Sequence, residues 1–412
     1  MLSYQDVINS NYGFSSDYSD YDTARQKKTT DYAQAQGAQT STSSGYAGNG
    51  GWRLRSPDYS VSYYALRVCD TGYAHGFIEV NEALFGVVPA LQIRLDFVEP
   101  DDEPIDELAY TRNGNKITFG SYPQSEVTDS SLTATLNSKA GRLPTSSNSQ
   151  AWTYYRDYYI SSSEGRFMWY IDVEEGGEKY RGVYFTSYRP CYTMYSSSTD
   201  NTDQDDNGYT TSTVYWFKYE PISWTILSED MANGTALILC DMIIDSQAYH
   251  NKYSSSACTN NYARSTILRW LNATFYNTAF SALQKCIILT TTVDNSAATT
   301  SSSSNQYACE NTQDKVFLLS YQDVINSNYG FSSDYSDYDT ARQKKTTDYA
   351  QVQGAYTSTS SGYAGNGYWW LRSPNPTSKN AASVVLGSGS VKYYYDVYNI
   401  TFGVVPALQI LL

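Results

Sequence analysis

Few residues of this 412-residue chain have the types and the spacing that catalysis needs. The sequence contains two histidines, His75 and His250, on which a Ser–His–Asp triad or a histidine zinc site would depend. Lys392 takes the place of His75 where the sequence repeats, so the repeated unit does not depend on that imidazole. We therefore expect no catalytic residues and no enzymatic activity.

Oxygen and sulfur ligands give little more support for a metal or redox site. Asp203, Asp205 and Asn207 have the spacing that opens a calcium-binding loop, but Val214 stands where a glutamate would complete it. The six cysteines form no C-x-x-C pair, which argues against a zinc knuckle or a redox centre. The sequence predicts no cofactor; a calcium ion at Asp203, Asp205 and Asn207 is the alternative to a solvated hairpin.

The chain is organised around a segment that occurs twice, which we call the repeated segment. Residues 3–57 reappear 317 positions later as residues 320–374, with four differences. These are Ala35/Val352, Gln39/Tyr356, Gly51/Tyr368 and Arg53/Trp370. Both copies contain a tryptophan-centred motif, G-G-W-R-L-R-S-P in the first and G-Y-W-W-L-R-S-P in the second.

The 28 positions that follow each copy change far more, and we call them the variable window. Residues 58–85 and 375–402 keep the same length but share only five identities. The motif G-V-V-P-A-L-Q-I then returns unchanged at residues 86–93 and 403–410. Constant ends around a changing middle are typical of a scaffold that displays variable side chains, and neutral surface drift is the alternative.

Alternation along the window predicts which side chains face a ligand. Alternate residues of a strand lie on opposite faces, so Val391, Tyr393, Tyr395 and Val397 are expected in the core. The same period of two predicts that Trp369 packs inward while its neighbours face solvent. We predict a contact surface made of Tyr368, Trp370, Lys392, Tyr394, Asp396 and Tyr398. Its equivalents in the first copy are Gly51, Arg53, His75, Phe77, Glu79 and Asn81.

The amino-acid composition restricts the classes of partner that the chain can bind. Because the formal net charge is −14, the chain repels nucleic acid and anionic lipid. No apolar run approaches the ~20 residues that span a bilayer, so membrane insertion is not expected. The 42 tyrosines, with abundant Ser, Thr, Asn and Gly, resemble the composition of antibody paratopes. A glycan or protein ligand is therefore expected; tyrosines on half-buried strands of a β-rich protein are the alternative.

The repeat also predicts the domain organisation. Residues 1–95 are an incomplete copy of the C-terminal third of a unit, residues 96–112 an acidic, proline-containing linker, and residues 113–412 the complete unit. In the complete unit, Pro221 is expected to separate two strands. Ser265 is expected to cap a helix, and a second short helix follows it.

Several of these motifs together resemble a bacterial family of unknown function whose domains carry W-W-L-R-S-P and close with G-V-R-P-A-L. This sequence has Val88 and Val405 in place of the closing arginine. More distantly, the late tryptophan and the closing motif are similar to C-type-lectin-like folds, including formylglycine-generating enzymes. The resemblance implies an α+β, C-type-lectin-like fold with mostly antiparallel twisted sheets and two short helices, plus the partial N-terminal repeat.

These observations predict a non-enzymatic binding or adhesion module that displays a Tyr/Trp-rich patch to a glycan or protein. The alternatives are an enzyme of the formylglycine-generating class and a recombination fragment without activity of its own. An extracellular or cell-surface location is expected, although no signal peptide precedes the first copy. If Met1 is the authentic start, the expected location is the cytoplasm. The oligomeric state stays open.

Overall fold

The chain forms two compact units, Met1–Asp101 (unit 1) and Asp102–Leu412 (unit 2). The computed structural model describes residues 1–58, 61–74, 77–82, 84–90, 110–145, 147–155, 168–188, 204, 206–251 and 257–412. The boundary between the units falls in the acidic segment for which the sequence predicts a linker. Most of that segment lies outside the described residues.

Unit 1 contains the first copy of the repeated segment and has a small core. Its elements are α1 (Tyr4–Val7), β1 (Lys27–Lys28), α2 (Asp31–Ala35), β2 (Asn49–Gly50), β3 (Trp52–Pro57), β4 (Tyr64–Val68) and β5 (Phe77–Glu79). Strands β3, β4 and β5 form an antiparallel sheet in that order, and β1 pairs with β2. The buried cluster consists of Val7, Trp52, Leu54, Val68 and Ala74.

Unit 2 contains most of the regular structure. Its strands are β6 (Thr111–Asn113), β7 (Lys116–Glu126), β8 (Thr153–Tyr154), β9 (Met168–Glu175), β10 (Glu178–Phe185), β11 (Val214–Asp230), β12 (Thr235–Cys240), β13 (Asp245–Ser246), β14 (Thr291–Val293), β15 (Thr312–Asp314), β16 (Trp369–Pro374), β17 (Ala381–Val385), β18 (Val391–Asp396), β19 (Gly403–Val404) and β20 (Ala407–Leu411). Eight of them form a curled, half-barrel sheet in which β20, β12, β11, β10, β9 and β8 are neighbours and β7 pairs with β11 and β6.

Strand β11 is one continuous strand, so the prediction that Pro221 separates two strands is wrong. Pro221 pairs with Ser121 of β7, and the register shifts between Pro221 and Ser223. A bulge accommodates a proline in a strand because the missing amide hydrogen is not needed there. The turn between β9 and β10 is formed by Gly176 and Gly177, whose positive φ angles of 60° and 82° favour glycine.

The second sheet of unit 2 takes β16 from the second copy of the repeated segment, β17 and β18 from its variable window and β19 from the closing motif, and β13 from residues 245–246. Its order is β13, β19, β16, β17, β18, with β16 and β19 parallel and the other pairs antiparallel. Strand β18 therefore lies at an edge. All six residues of β16 are buried, which shows that this central strand is covered on both faces.

Helices are short, and the described part of unit 2 has more than the two that the sequence predicts. They are α3 (Ser130–Ala140), α4 (Thr266–Trp270), α5 (Tyr276–Ala279), α6 (Ala282–Ile287) and α7 (Asp348–Val352). Ser265 caps α4 by accepting a hydrogen bond from the amide of Leu268, as predicted. A π-helical turn, Leu271–Phe275, connects α4 to α5. The mixed α+β class with mostly antiparallel sheets is confirmed.

Candidate binding surface

Aromatic rings converge at the β18 edge of the second sheet. Three of them come from consecutive residues of that strand, and two come from the repeated segment. We call the five residues the tyrosine surface: Tyr356, Tyr368, Tyr393, Tyr394 and Tyr395. The pairing of β17 with β18 positions the three tyrosines of β18. The other two are positioned by backbone hydrogen bonds, from the amide of Tyr356 to the carbonyl of Thr401 and from the amide of Gly403 to the carbonyl of Tyr368.

The rings form a continuous chain of contacts. The ring centroids of Tyr356 and Tyr368 lie 4.8 Å apart, and those of Tyr368 and Tyr395 lie 6.4 Å apart. Tyr395 and Tyr394 are stacked at 5.4 Å, and Tyr394 meets Tyr393 edge-on at 5.8 Å. These separations lie in the range where aromatic rings attract one another.

The surface rests on a buried ring and is itself open to solvent. Phe402 is buried and lies 5.8 Å from Tyr368 and 5.0 Å from Tyr395, between ring centroids. Tyr394 is 57% exposed, whereas Tyr356 and Tyr393 are close to 40% exposed. Exposed large apolar groups scattered singly need no explanation, but a contiguous group marks an interaction site.

Charge at the surface varies little around neutral pH. Burial and the neighbouring Tyr356 raise the pKa of Tyr368, and burial raises the pKa of Tyr395 together with Tyr368 and Tyr394. Both phenols are therefore neutral well beyond pH 7. Half-buried Lys392 and Asp396 lie at the two ends of the tyrosine run in β18. Burial raises the pKa of Asp396, against a hydrogen bond with Tyr398 that lowers it.

Trp370 is not part of any exposed surface, so its predicted exposure is wrong. The side chain is fully buried, like that of Trp369, which packs inward as predicted. The Trp370 indole Nε1 donates to the carbonyl of Gln247 at 2.9 Å, and its ring lies 5.6 Å from that of Tyr249. Because residues near β13 cover the second face of β16, alternation along this strand does not separate core from solvent.

The face assignment along β18 is also wrong in part. Tyr398 is fully buried although the sequence predicts exposure, and Tyr393 is exposed although the sequence predicts core. Strand β18 ends at Asp396, so the alternation no longer applies at Tyr398. There the carbonyl of Val397 accepts a hydrogen bond from the amide of His250. Val391 and Val397 are buried as predicted.

The equivalents in unit 1 differ from the residues of unit 2 where the structure describes them. Gly51 stands where Tyr368 lies in unit 2, and the guanidinium of Arg53 donates to the carbonyls of Glu79 and Glu82. Glu79 and Asn81 are exposed. His75 lies outside the described residues, and Phe77 is described only as a backbone position of β5. The two copies thus present unlike side chains at equivalent places.

A cluster around Arg181 contains several ionisable groups whose pKa values are shifted by burial and by one another. Arg181 is 5% exposed and donates to Asp172 from Nε at 2.8 Å and from Nη2 at 2.9 Å. Its Nη1 reaches the hydroxyl of Tyr349 at 3.3 Å, which lies 2.7 Å from that of Tyr155. Burial raises the pKa of Tyr349 to about 12. Since its donors and acceptors pair with one another inside the fold, the cluster connects the large sheet to α7.

Residues 233–412 match the family model DUF6273, described as a domain of unknown function. No curated protein and no solved structure gives a significant match to the chain. The DUF6273 match starts at the turn before β12 and includes both the variable window of unit 2 and the whole tyrosine surface. Unit 1 and the strands before β12 lie outside the matched range.

The sequence also raised the questions of a metal site and of membrane insertion. Within the described ranges, no three acidic, histidine or cysteine side chains are grouped so that they could hold a metal ion. Asp203 and Asp205 lie outside those ranges, and Asn207 donates its amide hydrogens to the carbonyls of Gln351 and Ala355. In the part of the chain that the structure describes, no helix is both long and apolar enough to cross a bilayer.

Three members of the tyrosine surface escaped the sequence-based prediction. Tyr356 is one of the four differences between the copies of the repeated segment, so the sequence marked it as variable. No predicted strand contained it, so the sequence did not place it next to the other tyrosines. Tyr393 and Tyr395 were assigned to the core by alternation. The run of three consecutive tyrosines was the better signal, because all three rings join the surface although alternate residues of a strand lie on opposite faces.

Proposed function

We propose that unit 2 is a non-enzymatic binding module of adhesion type, and that the tyrosine surface is where it takes up a glycan or a protein. The observation that carries the proposal is the contiguous chain of five exposed or half-buried rings at the β18 edge, with Phe402 beneath it. Three of its tyrosines lie in the variable window, and Tyr356 and Tyr368 are two of the four differences between the copies of the repeated segment.

The chemistry of the rings favours these two ligand classes. Tyrosine offers a large amphipathic contact area and few rotatable bonds, so ordering it on binding costs little entropy. Ring faces accept the apolar faces of sugars and of protein side chains, and the hydroxyls supply hydrogen bonds at the rim. Lys392 and Asp396 flank the rings and provide one charge of each sign for specificity.

The proposal also concerns the fold type and the location of unit 2, which would present the tyrosine surface outside the cell. A C-type-lectin-like arrangement of unit 2 and a cell-surface location belong to this proposal, because the former is a known way to present a variable face on a constant scaffold. Nothing observed at the tyrosine surface favours the formylglycine-generating alternative. Cys258 and Cys286 are exposed thiols on other elements, and neither is in a disulfide.

A binding screen of the full chain tests the proposal. The chain is applied to a glycan array and to a protein array, and hits are measured in solution by calorimetry. We expect Tyr394→Ala to lower the affinity for the captured ligand by about tenfold or more. The double variant with Tyr356→Ala should lower the affinity further. Truncating an aromatic anchor at an interface costs about 2 kcal/mol.

Tyr338→Ala is the matched control, since Tyr338 is a 70% exposed tyrosine of unit 2 that contacts Tyr363 rather than the tyrosine surface. Its binding should equal that of the wild type. A ligand whose affinity is the same for the double variant and the wild type would refute the site. The absence of any hit on both arrays would refute the function.

A further inference from the structure

Unit 1 contains an open cleft around Gln39 and Gly51, the positions equivalent to Tyr356 and Tyr368 of the tyrosine surface. The cleft has a volume of about 390 Å³ and lies between residues 39–43 and the end of β4. Its walls include Gln39, Thr40, Ser41, Arg67 and Asp70. A concavity of this volume is within the range of small-molecule sites, so the cleft is a candidate site of its own.

The cleft exists because of differences between the two copies. Gln39 and Gly51 replace the rings of Tyr356 and Tyr368, which occupy this region in unit 2. In the variable window, Arg67 replaces the buried Val384. The same scaffold therefore exchanges a filled aromatic surface for a hollow lined by hydroxyls, an amide and charged groups.

Arg67 lines this hollow and lies over an aromatic ring. Its guanidinium carbon lies 4.7 Å from the ring centroid of Phe85, which fixes the plane of the group. Among the described residues, its buried Nε has no hydrogen-bond partner, and neither has the buried Oγ1 of Thr40. Because Arg67 lines the cleft, its positive charge favours an anionic ligand there.

We propose that the cleft of unit 1 binds a small sugar acid. The carboxylate of the ligand accepts hydrogen bonds from Arg67, because the planar guanidinium fork matches a carboxylate. The sugar hydroxyls pair with Ser41 and donate to the carboxylate of Asp70. This site is separate from the tyrosine surface and takes a ligand of different charge.

Titration of the full chain with two sugars of equal ring size tests the proposal. Glucuronate carries the carboxylate, and glucose is its neutral counterpart; binding is followed by calorimetry and by ligand-observed nuclear magnetic resonance. We expect glucuronate to bind at least tenfold more tightly than glucose. Arg67→Gln should remove this preference, because the amide cannot replace the charged fork.

Two further variants make the result specific to the cleft. Arg55→Gln removes an exposed arginine of unit 1 and should leave the preference for glucuronate intact. Gln39→Tyr with Gly51→Tyr installs the pair that unit 2 already carries on the same scaffold, and the filled cleft should bind neither sugar. The proposal is overturned if the wild type binds neither sugar or binds both equally, or if Arg67→Gln or the double variant keeps the preference. The tyrosine surface is unchanged in all of these variants, so its test is independent.

Discussion

Tyr32 and Tyr349 are the same residue of the repeated segment, yet Tyr32 is 75% exposed and Tyr349 is fully buried. Tyr349 begins the turn of α7 that packs against β7 and β13, and its hydroxyl joins the Arg181 cluster. The segment that supplies these strands occurs once in the sequence, so Tyr32 has no equivalent neighbours within unit 1. The same local sequence therefore contributes a buried tyrosine to the core of unit 2 and an exposed tyrosine to the surface of unit 1.

This difference in burial predicts that the same Tyr→Phe substitution affects stability at Tyr349 but not at Tyr32. Tyr349→Phe removes a hydroxyl that pairs with Arg181 and Tyr155 and leaves two buried groups without that partner. We expect a loss of about 1–3 kcal/mol in the free energy of unfolding. Tyr32→Phe should change it by less than about 0.5 kcal/mol, as surface substitutions do. Chemical denaturation followed by tryptophan fluorescence measures both.

Hydrogen exchange assigns each effect to its unit. Exchange in residues 168–185 should accelerate in Tyr349→Phe and stay unchanged in Tyr32→Phe. Equal destabilisation by the two substitutions would contradict the role of Tyr349 in the Arg181 cluster.

A reciprocal exchange in the tryptophan-centred motif of the repeated segment tests the burial of β16. Trp370→Arg places a charge where the side chain is fully buried between Phe402 and Tyr249, and it should cost about 4 kcal/mol or more. Arg53→Trp introduces the residue of unit 2 at a half-exposed position of unit 1 and should cost about 1 kcal/mol or less.

Thermal unfolding and limited proteolysis of the full chain measure both variants. Trp370→Phe is the control, since it keeps the ring contacts and loses the indole hydrogen bond to Gln247. If Arg53→Trp destabilised the chain more than Trp370→Arg, the assignment of Trp370 to the core would be wrong.

The sequence predicted the constant parts of the fold better than the exposed ones. The inward packing of Trp369 followed from its identity in both copies, and the structure adds the reason: its Nε1 donates to the carbonyl of Arg342 at 3.1 Å. Arg342 is itself buried and donates to the carbonyls of Asp334 and Asp337. Arg25 repeats this arrangement in unit 1, with hydrogen bonds to the carbonyls of Ser15 and Asp17. Such internal networks do not tolerate change.

One identity in the variable window has a backbone explanation. Gly72 and Gly389 both have a φ angle of +87°, and a Cβ at either would overlap the carbonyl oxygen of Asp22 or Asp339. The tyrosine surface was harder to predict than the constant parts of the fold, because its rings come from three separate places in the sequence. Alternation requires one solvated face, and the burial of both faces of β16 removes that condition.

Acid should weaken unit 2 through Asp172. Burial raises the pKa of this carboxyl, but the hydrogen bonds and charge of Arg181 outweigh burial and hold the pKa below its ordinary value of about 3.9. A carboxylate with a depressed pKa stabilises the fold above the unfolded-state pKa. That contribution is lost as the pH falls through the folded-state pKa, in the window below about pH 4.

Asp172→Asn is the variant that isolates this effect. At pH 7 it leaves the guanidinium of Arg181 without its carboxylate and should lower the free energy of unfolding by about 2 kcal/mol, because the side chain of Asp172 is still 28% exposed. Between pH 5 and pH 2 its stability should fall less steeply than that of the wild type. Glu178→Gln removes an exposed partner of Lys218 and should keep the wild-type slope. Parallel slopes for Asp172→Asn and the wild type in urea titrations would show that this carboxylate does not stabilise the fold.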